Sequence, residues 1–272
     1  MHKGHIALLN LAKQRARQCG AKVALFTFSN NHLRVLGNDT KVLYSFCERL
    51  QLYQSLGVDY VIATEFTEQF RLSTGIEFVN HLAHYNLKGV VCGFDYTCGS
   101  DRLGGGNLYV ALSAICPVDV VDAVCWNGSK VGTTLIRELL LQNNLASANE
   151  LLTEPYFVTG KVVGGRKVGS KIGFPTANLQ TDADKLLPKG VYGGVVEFDG
   201  KDYKCIVNIG SKPTFDEDSA TVEVHVLDFD GDLYGRELKV SLTKFLRNIY
   251  KFASADELAQ QLKADRESVL HD

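Results

Sequence analysis

Residues 221–228 read Thr-Val-Glu-Val-His-Val-Leu-Asp, and polar and apolar side chains alternate along this stretch as far as Val226. An alternation of period two is typical of a β-strand that has one face against a core. The valines would occupy the buried face, which leaves Glu223 and His225 on the opposite face. A single glutamate on the outer face of a strand is usually solvated, and its functional alternative is a general base.

Comparable alternating segments, separated by Gly, Pro and Asp turns, fill the sequence after about residue 155. They are Tyr156–Val163, Gly190–Phe198, Tyr203–Ile209 and Glu237–Phe245. This pattern predicts an antiparallel barrel. A final helix is predicted from Ser254 to Val269, where Ser254 and Glu257 match a capping box.

The N-terminal half has a different pattern, in which continuous apolar runs alternate with helical segments. The predicted strands are residues 23–28, 60–63, 89–92 and 118–121. Such βαβ units predict a parallel sheet buried on both faces. The change of pattern predicts two domains, residues 1–152 and 153–272, as the length of the chain also favours.

The composition excludes several classes of protein. Of the 272 residues, 45% are apolar and 22% are charged, which is typical of a globular protein. A net charge of −2 gives no basic footprint for nucleic acid or membrane. No apolar run approaches the roughly 20 residues of a membrane span, so we expect a cytoplasmic protein. Seven cysteines without a CxxC pair predict buried reduced thiols rather than zinc ligands. The sequence neither requires nor excludes assembly into a homo-oligomer.

Residues 160–178 carry five glycines and four cationic side chains. Such a stretch can bring backbone N–H groups close to phosphates, although it matches neither GxxxxGK[ST] nor GxGxxG. Thr176 and Asn178, two residues apart on an extended segment, would point to the same side and offer oxygen ligands to Mg²⁺. A flexible glycine hairpin followed by a turn explains the same residues equally well.

Five segments in this order, at these spacings, resemble the riboflavin kinase domain, and the resemblance runs from about Tyr156 to the final helix. They are Gly173-Phe-Pro-Thr-Ala-Asn178, Pro188-Lys-Gly-Val-Tyr192, Asn208-Ile-Gly-Ser-Lys-Pro-Thr-Phe215, Val222-Glu-Val-His225 and Asp232-Leu-Tyr-Gly235. The resemblance implies a six-stranded Greek-key antiparallel barrel with a terminal helix. It also implies that ATP phosphorylates riboflavin to FMN.

The same resemblance implies roles for individual residues. Mg²⁺ would be held by Thr176 and Asn178, and Glu223 would be the base for the ribityl 5′-hydroxyl. Arg247 corresponds to a residue near the flavin. The ATP phosphates would lie under the glycine loop, whose candidate residues are Gly160, Lys161, Gly169, Lys171 and Gly173.

Three features of the N-terminal half suggest a second phosphate site. His2-Lys-Gly-His5 opens a helix and places two imidazoles near its positive end. Residues 93–99 follow a predicted strand, and residues 132–137 lead into a helix, which are positions where α/β sheets bind ligands. Taken alone, the two histidines are equally well explained as a surface accident or an expression remnant.

This half is similar to the FAD synthetase module of bacterial bifunctional riboflavin kinase/FAD synthetases, a Rossmann-like relative of the HxGH nucleotidylyltransferases. The resemblance implies that His2 and His5 contact the ATP phosphates and that Asp95 lines the nucleotide and flavin site. A phosphate motif would be formed by Thr133, Thr134 and Arg137. FMN would attack the α-phosphorus of ATP directly, giving FAD and pyrophosphate.

The chain departs from this family in two places. The family has a strand and a Gly-x-Phe-Asp-Gly turn before the first histidine, whereas this sequence begins at Met1. We therefore expect either an N-terminally truncated domain or an internal methionine taken as the start. Gly132 stands where the family commonly has serine.

These observations predict a bifunctional flavin-biosynthesis enzyme that uses Mg²⁺, takes ATP as co-substrate and forms FMN and FAD. One alternative is a riboflavin kinase with an inactive first domain. Another is a non-catalytic regulator that binds flavin or nucleotide. A third is adenylylation of some other phosphate compound by the first domain.

Overall fold

The computed structural model describes residues 1–164, 174–211 and 220–271. The predicted phosphate-binding residues Gly169, Lys171 and Gly173 lie outside these ranges. The chain forms two compact units, Met1–Gly132 and Thr133–Asp272. The division between functional domains at 152/153 stays a prediction.

The first unit alternates helices with strands. Its helices are α1 Lys3–Cys19, α2 His32–Val35, α3 Phe46–Ser55, α4 Glu68–Leu72, α5 Gly75–Ala83 and α6 Gly105–Ser113. Its strands are β1 Ala24–Phe28, β2 Tyr60–Thr64, β3 Val90–Gly93, β4 Thr97–Cys98, β5 Leu103–Gly104, β6 Val118–Val121, β7 Cys125–Trp126 and β8 Ser129–Lys130. Strands β1 and β2 pair in parallel, as do β3 and β6, which confirms the predicted parallel α/β region. The prediction of one sheet buried on both faces is wrong, because the strands form two separate pairs and most of their residues are only partly buried.

Local sequence fixes the helix starts in this unit. Ser45 and Glu48 form a reciprocal capping box at the start of α3, and Thr74 and Glu77 form another at α5. Each box satisfies two backbone N–H groups that a helix otherwise leaves without partners. The helices therefore begin where the sequence supplies the cap.

The second unit begins with two helices and continues as a β-barrel with a terminal helix. Its elements are α7 Thr133–Leu141, α8 Leu145–Leu151, β9 Phe157–Val163, β10 Ala177–Gln180, β11 Gly190–Phe198, β12 Lys201–Ser211, β13 Ala220–Val226, β14 Glu237–Arg247 and α9 Ala255–Leu270. The strands close in the order β10-β13-β12-β11-β14-β9, and every neighbouring pair is antiparallel. Strand β14 returns to lie beside β11 after the consecutive strands β11, β12 and β13, which is a Greek key. The predicted six-stranded barrel is confirmed.

The inner face of the barrel is apolar, and it fixes which side chains point outward. Val222 and Val224 are each 1% exposed, and Val207 and Ile209 are fully buried. Since side chains alternate along a strand, Glu223 lies on the outer face, as the sequence predicted.

Two further sequence predictions need correction. At α9, Ser254 accepts a hydrogen bond from the Glu257 N–H at 3.2 Å, but the Glu257 carboxylate accepts from Ala253 N at 2.7 Å instead of closing the box. The thiols are free, yet only some are buried. The exposed cysteines are Cys19, Cys47 and Cys125.

Among the helices of the described ranges, none combines the length and apolarity needed to cross a membrane.

Candidate active sites

The barrel register places three of the predicted kinase residues, Asn178, Glu223 and Arg247, in one row across five neighbouring strands. Asn178 of β10 lies opposite Glu223 of β13, and Glu223 lies opposite Asn208 of β12. The row continues through Val191 of β11 to Arg247 of β14. Neighbouring strands are about 4.8 Å apart, so the row spans roughly 19 Å. We call these five residues the outer-face row.

The segment that precedes β10 is held against β13 by His225. Its Nδ1 lies 2.7 Å from the carbonyl oxygen of Pro175, and its ring packs edge-on against Phe174 at 5.3 Å. Because a carbonyl can only accept, Nδ1 carries the proton in this contact. Thr176, the next residue, is thereby positioned close to β13. The sequence placed His225 on the outer face but gave no sign of this contact.

A half-open cavity of about 380 Å³ lies beside this segment. Its lining includes Thr176 and Ala177, together with residues 231–234 of the β13–β14 connection. Val224 and Val226 also contribute to its wall. The cavity therefore joins the predicted Mg²⁺ ligand Thr176 to the motif Asp232-Leu-Tyr-Gly235.

Two predicted phosphate-binding residues lie on β9. Gly160 is buried, and a Cβ atom there would stand 2.7 Å from the carbonyl oxygen of Gln180 on β10. Close approach of β9 and β10 therefore explains why residue 160 is glycine. Lys161 is exposed, so its ammonium is accessible to an anion.

Arg247, at the end of the outer-face row, pairs with Asp265 of α9. Its Nε lies 3.1 Å from both carboxylate oxygens, and its Nη2 lies 2.9 Å from Oδ2. Asp265 is only 3% exposed. The rings of Tyr250 and Phe252 lie 5.0 and 5.5 Å from the guanidinium. Arg247 thus anchors the terminal helix, and its predicted contact with flavin stays a prediction.

Substitution Arg247→Ala is expected to lower the free energy of unfolding of the barrel unit by about 3 kcal/mol, because it leaves the Asp265 carboxylate buried without its cation. Native-state hydrogen exchange of α9 and β14 amides in increasing urea measures the loss. Arg266→Ala is the control, since Arg266 on the same helix pairs with Asp228 in an exposed ion pair. That pair contributes about 0–1 kcal/mol. Equal losses in both variants would contradict the anchoring role.

His2 and His5 lie together at the start of α1. His2 is the N-cap, and its Nδ1 accepts the backbone N–H of His5 at 3.3 Å. The two rings stack with centroids 3.6 Å apart and planes 22° apart. A Cβ on Gly4 would stand 3.1 Å from the His2 ring, so glycine permits this close approach. Because Nδ1 of His2 accepts, a neutral His2 ring carries its proton on Nε2.

Burial determines the charge of both rings. It lowers the pKa of His2 to about 4 and that of His5 to about 3, with nearby positive charges as the smaller cause. Both imidazoles are therefore neutral at neutral pH and act as hydrogen-bonding groups. Nδ1 of His5 is buried and has no hydrogen-bond partner within residues 1–164, 174–211 and 220–271.

Asp95 lies just beyond the carboxyl end of β3, as predicted, and it forms an ion pair with Lys130. The Lys130 ammonium also lies 5.4 Å from the Phe94 ring, and its charge contributes to the lowered pKa of His2. Lys130 thus connects the Asp95 loop with the histidine pair. Sequence reasoning missed Lys130, because a single lysine in a short hairpin carries no recognisable pattern.

The other predicted phosphate residues begin α7, in the unit Thr133–Asp272. Thr133 and Thr134 are exposed. Arg137 is half-buried, and its Nε is buried with no hydrogen-bond partner in the part of the chain that the structure describes. A buried guanidinium N–H without an acceptor is able to receive an anionic oxygen.

Each half of the chain matches a known protein family. The riboflavin kinase family matches residues 152–271, and the FAD synthetase family matches residues 1–135. The bifunctional riboflavin kinase/FMN adenylyltransferase of Listeria monocytogenes is 35% identical over 98% of this chain and 87% of its own length. The Escherichia coli protein of the same name is 34% identical over 97% of this chain and 87% of its own length.

A crystal structure from Streptococcus pneumoniae has a TM-score of 0.89 and 33% identity, covering 98% of this chain and 90% of that one. It is described as a macrolide-efflux protein, a function that is not transferred to this chain. The two family matches and the near full-length relatives confirm the resemblance seen in the sequence. The chain belongs to the bifunctional riboflavin kinase/FMN adenylyltransferase family of flavin-biosynthesis enzymes.

Proposed function

We propose that this chain makes FMN and then FAD in the cytoplasm, with riboflavin, FMN and ATP as substrates. The domain 153–272 would transfer the γ-phosphoryl group of ATP to riboflavin, and the domain 1–152 would transfer AMP to FMN and release pyrophosphate. The observation that best supports the kinase half is the outer-face row, which aligns Asn178, Glu223 and Asn208 on three neighbouring strands.

In the kinase reaction, Glu223 accepts the proton of the ribityl 5′-hydroxyl as that oxygen attacks the γ-phosphorus. Its carboxylate is half-buried on the outer face, which leaves it accessible to substrate. Phosphoryl transfer depends mainly on positioning and charge neutralisation, so one carboxylate beside a cation site is sufficient chemistry. Asn178, directly opposite Glu223, keeps the cation site within one strand spacing of the base.

The residues present fit Mg²⁺. Thr176 and Asn178 supply a hydroxyl and an amide oxygen next to the Glu223 carboxylate, and Mg²⁺ prefers oxygen ligands while it keeps water and substrate phosphate. No cluster of three His, Cys, Asp or Glu that suits a metal occurs within the described ranges. When bound there, Mg²⁺ would neutralise charge on the ATP phosphates.

The nucleotide would occupy the cavity between Thr176 and residues 231–234. The apolar side chains of Val224 and Val226 in its wall suit a purine base. Thr176, one of the two predicted Mg²⁺ ligands, also lines the cavity. Lys161 supplies an exposed positive charge on β9.

In the adenylyl transfer, the neutral imidazoles of His2 and His5 would donate hydrogen bonds to phosphate oxygens as negative charge develops at the α-phosphorus. Lys130, which pairs with Asp95 and whose charge helps to lower the pKa of His2, would supply the positive charge that the neutral histidines lack. Thr133, Thr134 and Arg137 are proposed as a further phosphate-binding motif. FMN attacks directly, so no covalent enzyme intermediate is required.

Chromatography of the products formed from riboflavin, ATP and Mg²⁺ by the 272-residue chain tests the proposal. FMN followed by FAD is the expected result. FMN alone would mean that the first domain is inactive. If a folded protein binds flavin yet forms neither product, the chain is a non-catalytic regulator and the proposal is wrong.

A further inference from the structure

Asn208 occupies the middle of the outer-face row. It lies opposite Glu223 on one side and opposite Val191 on the other. On β12, its neighbours Val207 and Ile209 are fully buried, so the Asn208 side chain points to the outer face with that of Glu223. Directly opposed Cβ atoms in an antiparallel pair are about 4.5–5.5 Å apart, which puts the amide within reach of anything bound at Glu223.

The Asn208 amide is available for a ligand. The residue is half-buried, and its side chain makes no hydrogen bond to any residue in the ranges 1–164, 174–211 and 220–271. An amide offers both donors and an acceptor, so it suits a hydroxyl, which also donates and accepts.

Polarity changes along the row in the same order as it changes along the substrate. Asn178, Glu223 and Asn208 are polar, whereas the next residue of the row, Val191, is buried in one cluster with Val269 of the terminal helix. The rings of Tyr250 and Phe252 lie beside Arg247, at the end of the row. The exposed side chain of Ile249 lies near Gly210, two residues from Asn208 on the same strand. Riboflavin likewise has a polyhydroxyl chain at one end and an aromatic ring system at the other.

We infer that Asn208 binds an inner hydroxyl of the ribityl chain, 3′ or 4′, and so sets the specificity of the kinase for that chain. This inference rests on the proposed kinase function. With the 5′-hydroxyl at Glu223, the inner hydroxyls of the ribityl chain would lie within reach of the Asn208 amide on the neighbouring strand. Asn208 is thus a substrate-binding residue that takes no part in proton transfer.

The test compares riboflavin with its 3′-deoxy and 4′-deoxy analogues, using kcat/KM for phosphorylation by the full chain and by Asn208→Leu. Leucine has the same branching as asparagine, although it is larger, and it has no hydrogen-bonding group. The unaltered chain is expected to prefer riboflavin over one of the analogues by about 10-fold. In Asn208→Leu that preference should fall to about 2-fold or less, through KM for the flavin, while KM for ATP stays unchanged.

Asp202→Leu is the matched control, because Asp202 is exposed on the same strand and face but lies far from the row. It should keep the preference of the unaltered chain. Equal loss of activity toward all three flavins in Asn208→Leu, or an unchanged preference, would overturn the inference. If the leucine variant does not fold, Asn208→Ser, which shortens the polar group, is expected to reduce the same preference. Failure of the unaltered chain to phosphorylate riboflavin would instead overturn the proposed function.

Discussion

Replacement of Glu223 by glutamine is expected to lower kcat for FMN formation by about 10²–10⁴-fold, the usual contribution of a general base. Glutamine keeps the size and most of the hydrogen bonding of the side chain but cannot accept the proton of the 5′-hydroxyl. Since Glu223 lies on the outer face between two neutral asparagines, the change should leave the barrel core intact. Initial rates of FMN formation, measured by chromatography with saturating ATP and Mg²⁺, give the effect.

Glu197→Gln is the matched control for this substitution. Glu197 is an exposed glutamate on β11, with Asp202 and Lys239 as its register partners, away from the row. It should retain normal turnover. A Glu223→Gln enzyme that turns over at a near-normal rate would show that another group, or water, takes the proton.

His5→Ala is expected to reduce FAD formation from FMN and ATP by about 10²–10³-fold and to leave FMN formation unchanged. The magnitude follows from removing one hydrogen-bond donor that stabilises charge in the transition state. The separation of the two effects follows from the division of labour between the domains. The two activities are measured on the same preparation, one with riboflavin and one with FMN as the flavin substrate.

The His5 ring stacks on His2, so loss of structure has to be distinguished from loss of chemistry. Trp126, the single tryptophan, lies on β7 in the first unit, and its fluorescence reports the unfolding of that unit. His84→Ala, on an exposed histidine at the end of α5, is the control and should change neither activity. Equal loss of both activities in a folded His5→Ala protein would show that the two-site division is wrong.

Much of the fold could be predicted because it depends on local patterns. The period-two segments predicted five of the six barrel strands, and the apolar runs predicted the four strands of the parallel pairs. The sixth strand, β10, has four residues, and the sequence indicated only an extended segment there. The short pairs β4–β5 and β7–β8 were missed for the same reason, since two residues are too few to show a period.

The sequence predicted which residues belong to the candidate sites but not how those residues are arranged in space. The motifs supplied Thr176, Asn178 and Glu223, and the family resemblance supplied their roles. Nothing in the sequence indicated that the charge of Lys130 helps to lower the pKa of His2, or that Arg247 is bound to a buried carboxylate on the last helix. Each of these contacts joins residues that are distant along the chain, and only folding brings such residues together.

The sequence by itself therefore determined the longer strands, the family and the identity of the reactive groups, because those depend on side-chain type and short spacing. The tertiary structure alone decided the outer-face row. Closing six strands into a barrel fixes the register of every pair at once, and a shift of one residue would turn Glu223 from the outer face into the core. The buried valines resist that shift, and so the packing of the core holds Asn178, Glu223 and Asn208 side by side.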